Sequence, residues 1–128
     1  MQSFEVRGGK KLFGEITPQG AKNEALQIIS AVLLSPEKIT ISNIPDIVDV
    51  NLLIELLGEM KVKIDRQSRD TCTFQADDVD VDYLHSESYH KKSGKLRGSV
   101  MLAGPLLARF KKAYIPKPGG DKIGRRRL

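Results

Sequence analysis

Apolar residues change their spacing several times along the chain, and this alternation is the feature that most constrains its fold. From Lys22 to Pro36 they recur every three or four residues, the spacing of an amphipathic helix, and a second such stretch runs from Pro45 to Met60. Lys38–Ile44 alternates with the period of a strand, and two short stretches between 62 and 76 do the same. Helical and strand patterns that alternate with short connections predict an α/β fold.

The N-terminal residues predict one further pair of strands. Ser3–Arg7 and Leu12–Ile16 flank Gly8 and Gly9, and this pattern is typical of a β-hairpin. At the second helix, an acidic residue near the start, Asp46 or Asp49, is predicted to cap the exposed N–H groups.

The second half of the chain predicts another helix between two strands. Asp77–Tyr83 alternates acidic and apolar residues, which indicates an exposed edge strand. A third helix is predicted to begin near Ser93–Lys95 and to end at Phe110, with a kink or a break at Pro105. Its small and apolar centre indicates burial on every side. Lys112–Pro116 is predicted to form a last strand.

Composition excludes several classes of protein. The longest apolar run, Val100–Ala108, is too short to span a bilayer, and residues 1–20 contain no secretory leader. The single cysteine, Cys72, cannot form an intrachain disulfide, and a reducing cytoplasm fits it best. His85 and His90 lack metal-ligand spacing, so no metal site and no cofactor are predicted.

The charge of the chain is unevenly distributed, and this indicates an anionic partner. Residues 1–90 hold nine basic and 15 acidic side chains, a net charge of −6, whereas residues 91–128 hold 12 basic side chains and one acid, a net charge of +11. Lys91, Lys92, Lys111 and Lys112 are interpreted as a solvated face. The arginines that lie among glycines are better candidates for binding an anion.

Two cations lie where a helix is predicted to begin. Lys22 is in the first turn of the first helix, where the partial positive charge of the N–H groups disfavours a cation, and Glu24 is the expected counter-charge. Such conflicts concentrate at functional sites, where a helix start can receive an anion. The alternative is that Lys22 is a loop lysine. Arg97 presents the same choice between an anion-binding arginine and one that extends to solvent.

A glycine-rich loop near the end of the chain predicts a phosphate site. Gly119–Gly124 contains three glycines, which allow close approach of the backbone, and Arg125–Arg127 follow with guanidinium groups that bind phosphate bidentately. The spacing is not that of a P-loop. Asp121 is the single acid in this loop. It can act as a general acid if burial or a bound phosphate raises its pKa, and it is otherwise a salt-bridged loop residue.

Five motifs in order give the chain a family resemblance over its whole length. It is similar to the enolpyruvyl transferases, and within them to the members that act on UDP-N-acetylglucosamine. The motifs are F-x-V-x-G at 4–8, G-A-K-N at 20–23, L-R-G-S at 96–99, G-P-L-L-A-R-F at 104–110 and P-G-G-D-x-I-G-x-R at 118–126.

The resemblance implies an activity and a set of site residues. Family members transfer enolpyruvate from phosphoenolpyruvate to the 3′-hydroxyl of UDP-N-acetylglucosamine and release phosphate, which is the first committed step of peptidoglycan synthesis. Asp121 stands where most members carry a cysteine as general acid. Because that cysteine is the target of fosfomycin, the resemblance implies insensitivity to the antibiotic. The substrate-binding residues that it implies are Lys22, Asn23, Arg97, Arg126, Arg127 and Leu128.

The resemblance also implies an architecture and a truncated chain. The family fold is an inside-out α/β barrel in two similar domains, with helices inside and sheets outside. Residues 1–21 would be a hairpin that belongs to the other domain, and residues 22–128 would be part of one domain. Because half of the cleft would be missing, we expect the chain to be inactive without the remainder of its protein.

Three other functions remain open from the sequence. The shikimate-pathway enolpyruvyl transferases share the fold and the donor, but they read G-D-K-S where this chain reads G-A-K-N. A basic nucleic-acid-binding module would explain the charge of residues 91–128, but Tyr114 is the only aromatic residue after Phe110, so no stacking platform accompanies the charge. The third is a scaffold fragment without catalytic activity.

Overall fold

Four helices and three short strands alternate along the chain. The computed structural model describes residues 3–115, 117 and 119. The helices are α1 (Lys22–Ala31), α2 (Val48–Glu59), α3 (Glu87–Ser93) and α4 (Ala103–Phe110), and the strands are β1 (Lys38–Ile41), β2 (Lys63–Arg66) and β3 (Cys72–Gln75). Three 3₁₀ helices occupy Val32–Leu34, Asp82–His85 and Arg97–Leu102. The mixed α/β character that the sequence predicts is therefore confirmed.

The three strands form one antiparallel sheet in the order β1-β3-β2. Ile39, Phe74 and Ile64 lie side by side across it, which fixes the register of the apolar face. Phe74 is fully buried, whereas the opposite face is polar; there the Thr40 and Thr73 hydroxyls share a hydrogen bond of 2.8 Å. The strands predicted at 38–44 and 62–76 thus form, each shorter than its sequence pattern.

The core lies between the apolar face of the sheet and the helices. α1 and α2 pack against each other, and the 3₁₀ helix Arg97–Leu102 packs on α1. Their buried side chains recur at helical spacing, as the sequence predicts. The fully enclosed members include Ile29, Leu33, Leu53, Leu56, Leu57, Met60, Leu84, Leu96, Leu102 and Leu106.

The predicted cap of α2 is wrong. Ile47 is the N-cap residue, and no side chain accepts a hydrogen bond there. Asp46 precedes the cap and accepts a hydrogen bond from Asn51 Nδ2 at 2.9 Å, whereas Asp49 lies inside the first turn and accepts one from Lys22. Neither carboxylate occupies the position from which a side chain reaches the free N–H groups.

The predicted N-terminal hairpin does not form. Residues 3–20 contain no strand, and Phe4 and Phe13 are 98% and 105% exposed. A two-stranded hairpin is marginal in water unless its apolar face packs on another surface. No described part of the chain covers these side chains, so pairing Ser3–Arg7 with Leu12–Ile16 would gain little.

The edge strand predicted at Asp77–Tyr83 is also wrong. The segment is a turn that leads into the 3₁₀ helix Asp82–His85, because the Asp80 carboxylate accepts hydrogen bonds from the N–H groups of Asp82 and Tyr83. Such local bonds compete with a strand ladder. The alternation of acidic and apolar residues therefore reflects a capped turn.

The third predicted helix is divided into two pieces, and α3 precedes it as a helix that the sequence did not predict. α3 ends at Ser93, a 3₁₀ helix follows from Arg97, and α4 begins at Ala103. The Ser99 hydroxyl donates to the carbonyl oxygens of Ser93 and Leu96, at 2.9 and 2.7 Å, and the same oxygens accept the backbone N–H groups of Leu96 and Ser99 in a tightened turn. Pro105 causes no break, since it lies in the first turn of α4, where proline is tolerated.

Two further predictions are wrong. The third predicted helix is not buried on every side, and the last strand does not form over its described residues. Met101 and Leu107 are about half exposed, because α4 has neighbours on one side only among the described residues. Residues 112–115 form no strand, and Pro116 lies outside the described residues. Within residues 3–115, 117 and 119, no helix has the length and apolarity needed to cross a membrane.

Candidate functional site

Lys22 is the first residue of α1, and Asp49 of α2 neutralises it. The N-cap residue Ala21 offers no side-chain acceptor, so the N–H groups at this helix start have no side-chain cap. Lys22 Nζ donates to Asp49 Oδ2 at 2.9 Å, with the two side chains 43% and 40% exposed. Asp49 lies in the first turn of α2, where a carboxylate is favoured. The expected partner Glu24 forms no ion pair with any described residue.

The backbone before α1 is fixed by a close glycine contact. A Cβ atom at Gly20 would overlap the carbonyl oxygen of Asn43 and lie 3.2 Å from its carbonyl carbon. Only glycine fits at this point, which explains the first letter of the G-A-K-N motif in physical terms. Asn23 is exposed in the first turn. The start of α1 is therefore well ordered, with one cation and one amide side chain at its surface.

Arg97 begins the 3₁₀ helix that crosses α1. A Cβ atom at Gly98 would lie 2.8 Å from Leu26 Cδ1, so the backbone at Gly98 packs directly against the Leu26 side chain. Leu26 follows Lys22 by one helical turn, on the same face of α1. The structure thus brings together the segments that carry Lys22 and Arg97. The Arg97 guanidinium is half-buried and donates no hydrogen bond to another described residue.

The first part of the glycine-rich loop lies against the same region. A Cβ atom at Gly119 would overlap the carbonyl oxygen of Gly94 and lie 3.0 Å from the Cα of Lys95. Gly119 therefore passes directly beside the residues that precede Arg97. Two contacts thus link segments that are distant in the sequence: Gly98 packs on Leu26 of α1, and Gly119 touches Gly94 and Lys95. Four predicted site residues lie outside the described residues, namely Asp121, Arg126, Arg127 and Leu128.

The pocket beside the start of α1 is small. It has a volume of about 90 Å³ and is lined in part by Gly20, Ala21 and Asn43. Sites for small molecules are typically several times larger. The described residues contain no cluster of three or more His, Cys, Asp or Glu side chains that could hold a metal ion. What this region offers a ligand is positive charge and N–H groups on an open surface.

Two charged groups with clear roles were missed or misread from the sequence. Asp49 was considered only as a cap, although an acid in the first turn of a helix is also a good partner for a neighbouring lysine. Lys92 was interpreted as a solvated lysine, but it donates to Glu55 and, at 2.6 Å, to Glu59 of α2. These bonds raise the pKa of Lys92, and those from Lys92 and Tyr83 lower the pKa of Glu59.

Known proteins resemble this chain closely. It is 62% identical over 128 residues to the UDP-N-acetylglucosamine 1-carboxyvinyltransferase of Porphyromonas gingivalis and 60% identical to that of Bacteroides thetaiotaomicron. A protein of the same name from Bradyrhizobium diazoefficiens is 42% identical over 125 residues. The match covers all of this chain for the first two relatives and 98% of it for the third. The chain spans only 30%, 30% and 28% of these relatives.

A solved structure and a family model agree with the relatives. The enolpyruvyl transferase NikO from Streptomyces tendae matches with a TM-score of 0.63 and 24% identity, over 80% of this chain and 23% of NikO. At that identity the likeness concerns the fold alone. Residues 6–127 match the family described as EPSP synthase (3-phosphoshikimate 1-carboxyvinyltransferase). The resemblance predicted from the five motifs is thereby confirmed, and the chain belongs to the EPSP synthase family.

Proposed function

We propose that this chain is the N-terminal part of an enzyme that transfers enolpyruvate from phosphoenolpyruvate to the 3′-hydroxyl of UDP-N-acetylglucosamine. The observation that carries the proposal is a pair of contacts: Gly98, next to Arg97, packs on Leu26 one turn after Lys22, and Gly119 of the glycine-rich loop touches the backbone just before Arg97. Relatives named UDP-N-acetylglucosamine 1-carboxyvinyltransferase are 59–62% identical to this chain over all of its residues, and they support UDP-N-acetylglucosamine as the acceptor.

The start of α1 is suited to the anionic groups of both substrates. Its N–H groups and the Lys22 ammonium present positive charge, and Arg97 adds a planar donor. In the free chain Asp49 satisfies Lys22. An entering phosphate or carboxylate would take over part of that hydrogen bonding. We assign Asn23, Arg126, Arg127 and Leu128 to substrate binding on the resemblance of their motifs.

Asp121 is proposed as the general acid. The 3′-hydroxyl of the sugar loses its proton to a base as its oxygen bonds to C2 of phosphoenolpyruvate, and the proton of Asp121 passes to the methylene carbon C3. A base then removes a proton from C3 while the bond between C2 and the phosphate oxygen breaks, which restores the double bond and releases phosphate. Asp121 must be protonated for this step, and a neighbouring bound phosphate would raise its pKa. A carboxyl group lacks the thiol sulfur that fosfomycin alkylates.

The rest of the enzyme would complete the cleft. We propose that residues 22–128 form part of one domain of a two-domain inside-out barrel and that residues 1–21 pair with the other domain. The exposed apolar side chains of residues 3–17 support this assignment. A cytoplasmic location accords with the buried free thiol of Cys72. The chain alone is then expected to be inactive.

The shikimate-pathway transferases provide the second candidate function, since the matching family is described by their activity. The test measures phosphate release from phosphoenolpyruvate by the longer protein that carries these residues, with UDP-N-acetylglucosamine or shikimate 3-phosphate as acceptor. Release that requires the UDP-sugar, persists in fosfomycin and disappears in Asp121→Ala supports the proposal. Release with shikimate 3-phosphate only, or undiminished release in Asp121→Ala, contradicts the acceptor or the general acid respectively.

A further inference from the structure

Helix α3 contacts the chain that leads into the glycine-rich loop. Tyr89 is fully buried, and its hydroxyl donates to the carbonyl oxygen of Tyr114 at 3.1 Å. Burial raises the pKa of Tyr89 to about 12, so this hydroxyl keeps its proton at neutral pH. The ring of His90 stacks on the ring of Tyr114, with centroids 4.4 Å apart and an angle of 11° between the planes. Two consecutive residues of α3 thus hold one residue of the following segment.

A second contact lies five residues further along the chain. Gly94, which caps the C-terminus of α3, touches Gly119 so closely that a Cβ atom at position 119 would overlap the Gly94 carbonyl oxygen. The neighbouring atoms are backbone, at 2.8 Å for the Gly94 carbonyl carbon, and backbone cannot rotate aside as a side chain can. α3 therefore contacts this segment at both Tyr114 and Gly119.

The helix that makes these contacts is itself firmly attached to α2. The Lys92 ammonium donates to Glu55 and Glu59, and Glu59 also accepts a hydrogen bond from Tyr83. The Lys92 side chain is only 23% exposed, so this network is partly shielded from solvent. A seven-residue helix would not hold its position by its own hydrogen bonds. The network supplies the attachment.

We propose that α3 is the support that fixes the start of the glycine-rich loop at Tyr114 and Gly119, with Tyr89, Gly94 and Gly119 as positioning residues. The proposal rests on the proposed role of Asp121 as general acid. Asp121 follows Gly119 by two residues, so a displacement of Gly119 moves the chain that carries the acid. Proton transfer to carbon requires the acid within hydrogen-bond reach of its target, and a misplacement of about 1 Å can cost about 100-fold in rate.

The first test measures the contact between α3 and Tyr114 by NMR and needs no enzyme assay. The chain contains two histidines, so the C2 proton of each is readily assigned by NMR. Stacking on Tyr114 shifts the resonance of His90 upfield, and His85 serves as reference. Tyr89→Phe should move the His90 resonance toward its unstacked position. The control Lys91→Met changes an exposed side chain of the same helix, outside the network that attaches α3 to α2, and should leave the shift in place.

The second test measures turnover in the longer protein. Gly119→Ala should lower kcat at least tenfold and leave KM within about twofold, because the displaced group acts on chemistry rather than on binding. Gly58→Ala is the matched control, since its Cβ would meet only a side-chain methyl at 3.4 Å, and should keep wild-type kcat.

Three results would overturn the inference. An unchanged His90 resonance in Tyr89→Phe would show that the hydroxyl does not hold Tyr114. If Gly119→Ala has the same kcat as Gly58→Ala, or differs only by a raised KM, then Gly119 does not position the acid. An inactive wild type would refute the proposed function and the catalytic half of this inference, whereas the NMR shift would still report the docking by itself.

Discussion

Replacing Asp49 by Asn tests how strongly Lys22 is held in the free chain. The substitution keeps the shape of the side chain and removes its charge. At 2.9 Å, two unit charges attract by about 1.4 kcal/mol in a water-like medium and about 6 kcal/mol at an effective dielectric constant of 20. Both side chains are about 40% exposed, so the lower figure applies, and ordering two side chains offsets part of it. Exposed pairs of this kind contribute about 0.2–1 kcal/mol.

One further electrostatic contribution comes from the start of α2. Asp49 also interacts favourably with the first turn of α2, by about 0.5 kcal/mol, and Asp49→Asn loses this as well. We therefore expect Asp49→Asn to lower the free energy of unfolding by about 1 kcal/mol. In a Lys22→Met background the same change should cost only about 0.5 kcal/mol, because the ion pair is already absent.

Urea denaturation of the four chains of this double-mutant cycle measures the coupling. A coupling near 0.5 kcal/mol at low salt that falls in about 0.5 M NaCl would agree with a screened, solvent-exposed pair. An equal cost of Asp49→Asn in both backgrounds would refute the reasoning, since Asp49 would then stabilise the fold without Lys22. A weak coupling also matters for function, because a phosphate that carries two charges can displace a partner held this loosely.

Three further predictions concern the surroundings of the site. Lys92→Met should lower the free energy of unfolding by about 1–2 kcal/mol in urea, because two carboxylates of α2 lose their partner, whereas Lys91→Met on the exposed side of α3 should stay within about 0.5 kcal/mol. Because the pKa of Glu59 is lowered from its usual 4.5, the stability it contributes is present above pH 4.5 and is lost as the pH falls through the folded-state pKa; an acid titration of unfolding should show this slope, and Glu59→Gln should reduce it. Gly20→Ala should destabilise the chain by about 1–3 kcal/mol through its clash with backbone, and a melting temperature equal to that of Gly58→Ala would contradict the close contact.

Periodicity predicted the central elements because burial follows it there. Leu53 and Leu57 recur at helical spacing and are fully buried, and Phe74 alternates with polar residues in the middle strand of the sheet. These residues belong to one buried cluster formed within the described part of the chain. Local pattern and tertiary packing therefore favour the same structure.

The failed predictions share a different cause. The hairpin of residues 3–16 and the all-round burial of α4 both require a surface that the described residues do not provide. Between α3 and the following 3₁₀ helix the chain forms a tightened turn, in which the Ser99 hydroxyl also donates to two backbone carbonyl oxygens. The capping serine of α3, Ser86, was a recognisable signal, since it accepts a hydrogen bond from the N–H of Tyr89. Its helix was overlooked because its seven residues contain few apolar side chains.

Of the site, the sequence predicted Lys22 and Arg97 as anion-binding candidates, and the structure brings their segments together. It did not indicate the counter-ion Asp49, because the pair joins two helix starts 27 residues apart. The roles of these residues in substrate binding stay predictions, as does the role of Asp121. Long-range pairs of this kind depend on how α1 and α2 cross, which local sequence does not encode.

The exposed apolar side chains near the N-terminus indicate how the catalytic groups would be divided between this chain and the rest of the protein. Single exposed apolar residues are common, but Phe4, Val6, Leu12, Phe13 and Ile16 are all at least 90% exposed within one short segment. Since the chain spans about 30% of its relatives, the remainder of such a protein is available to cover them. The same remainder would face the open start of α1, whose pocket is too small to enclose a substrate. This segment would then supply the anion-binding helix start and the general acid, and the rest would supply the opposite wall that excludes water. The isolated chain should accordingly bind inorganic phosphate weakly and release none from phosphoenolpyruvate, and measurable turnover by the isolated chain would refute this division.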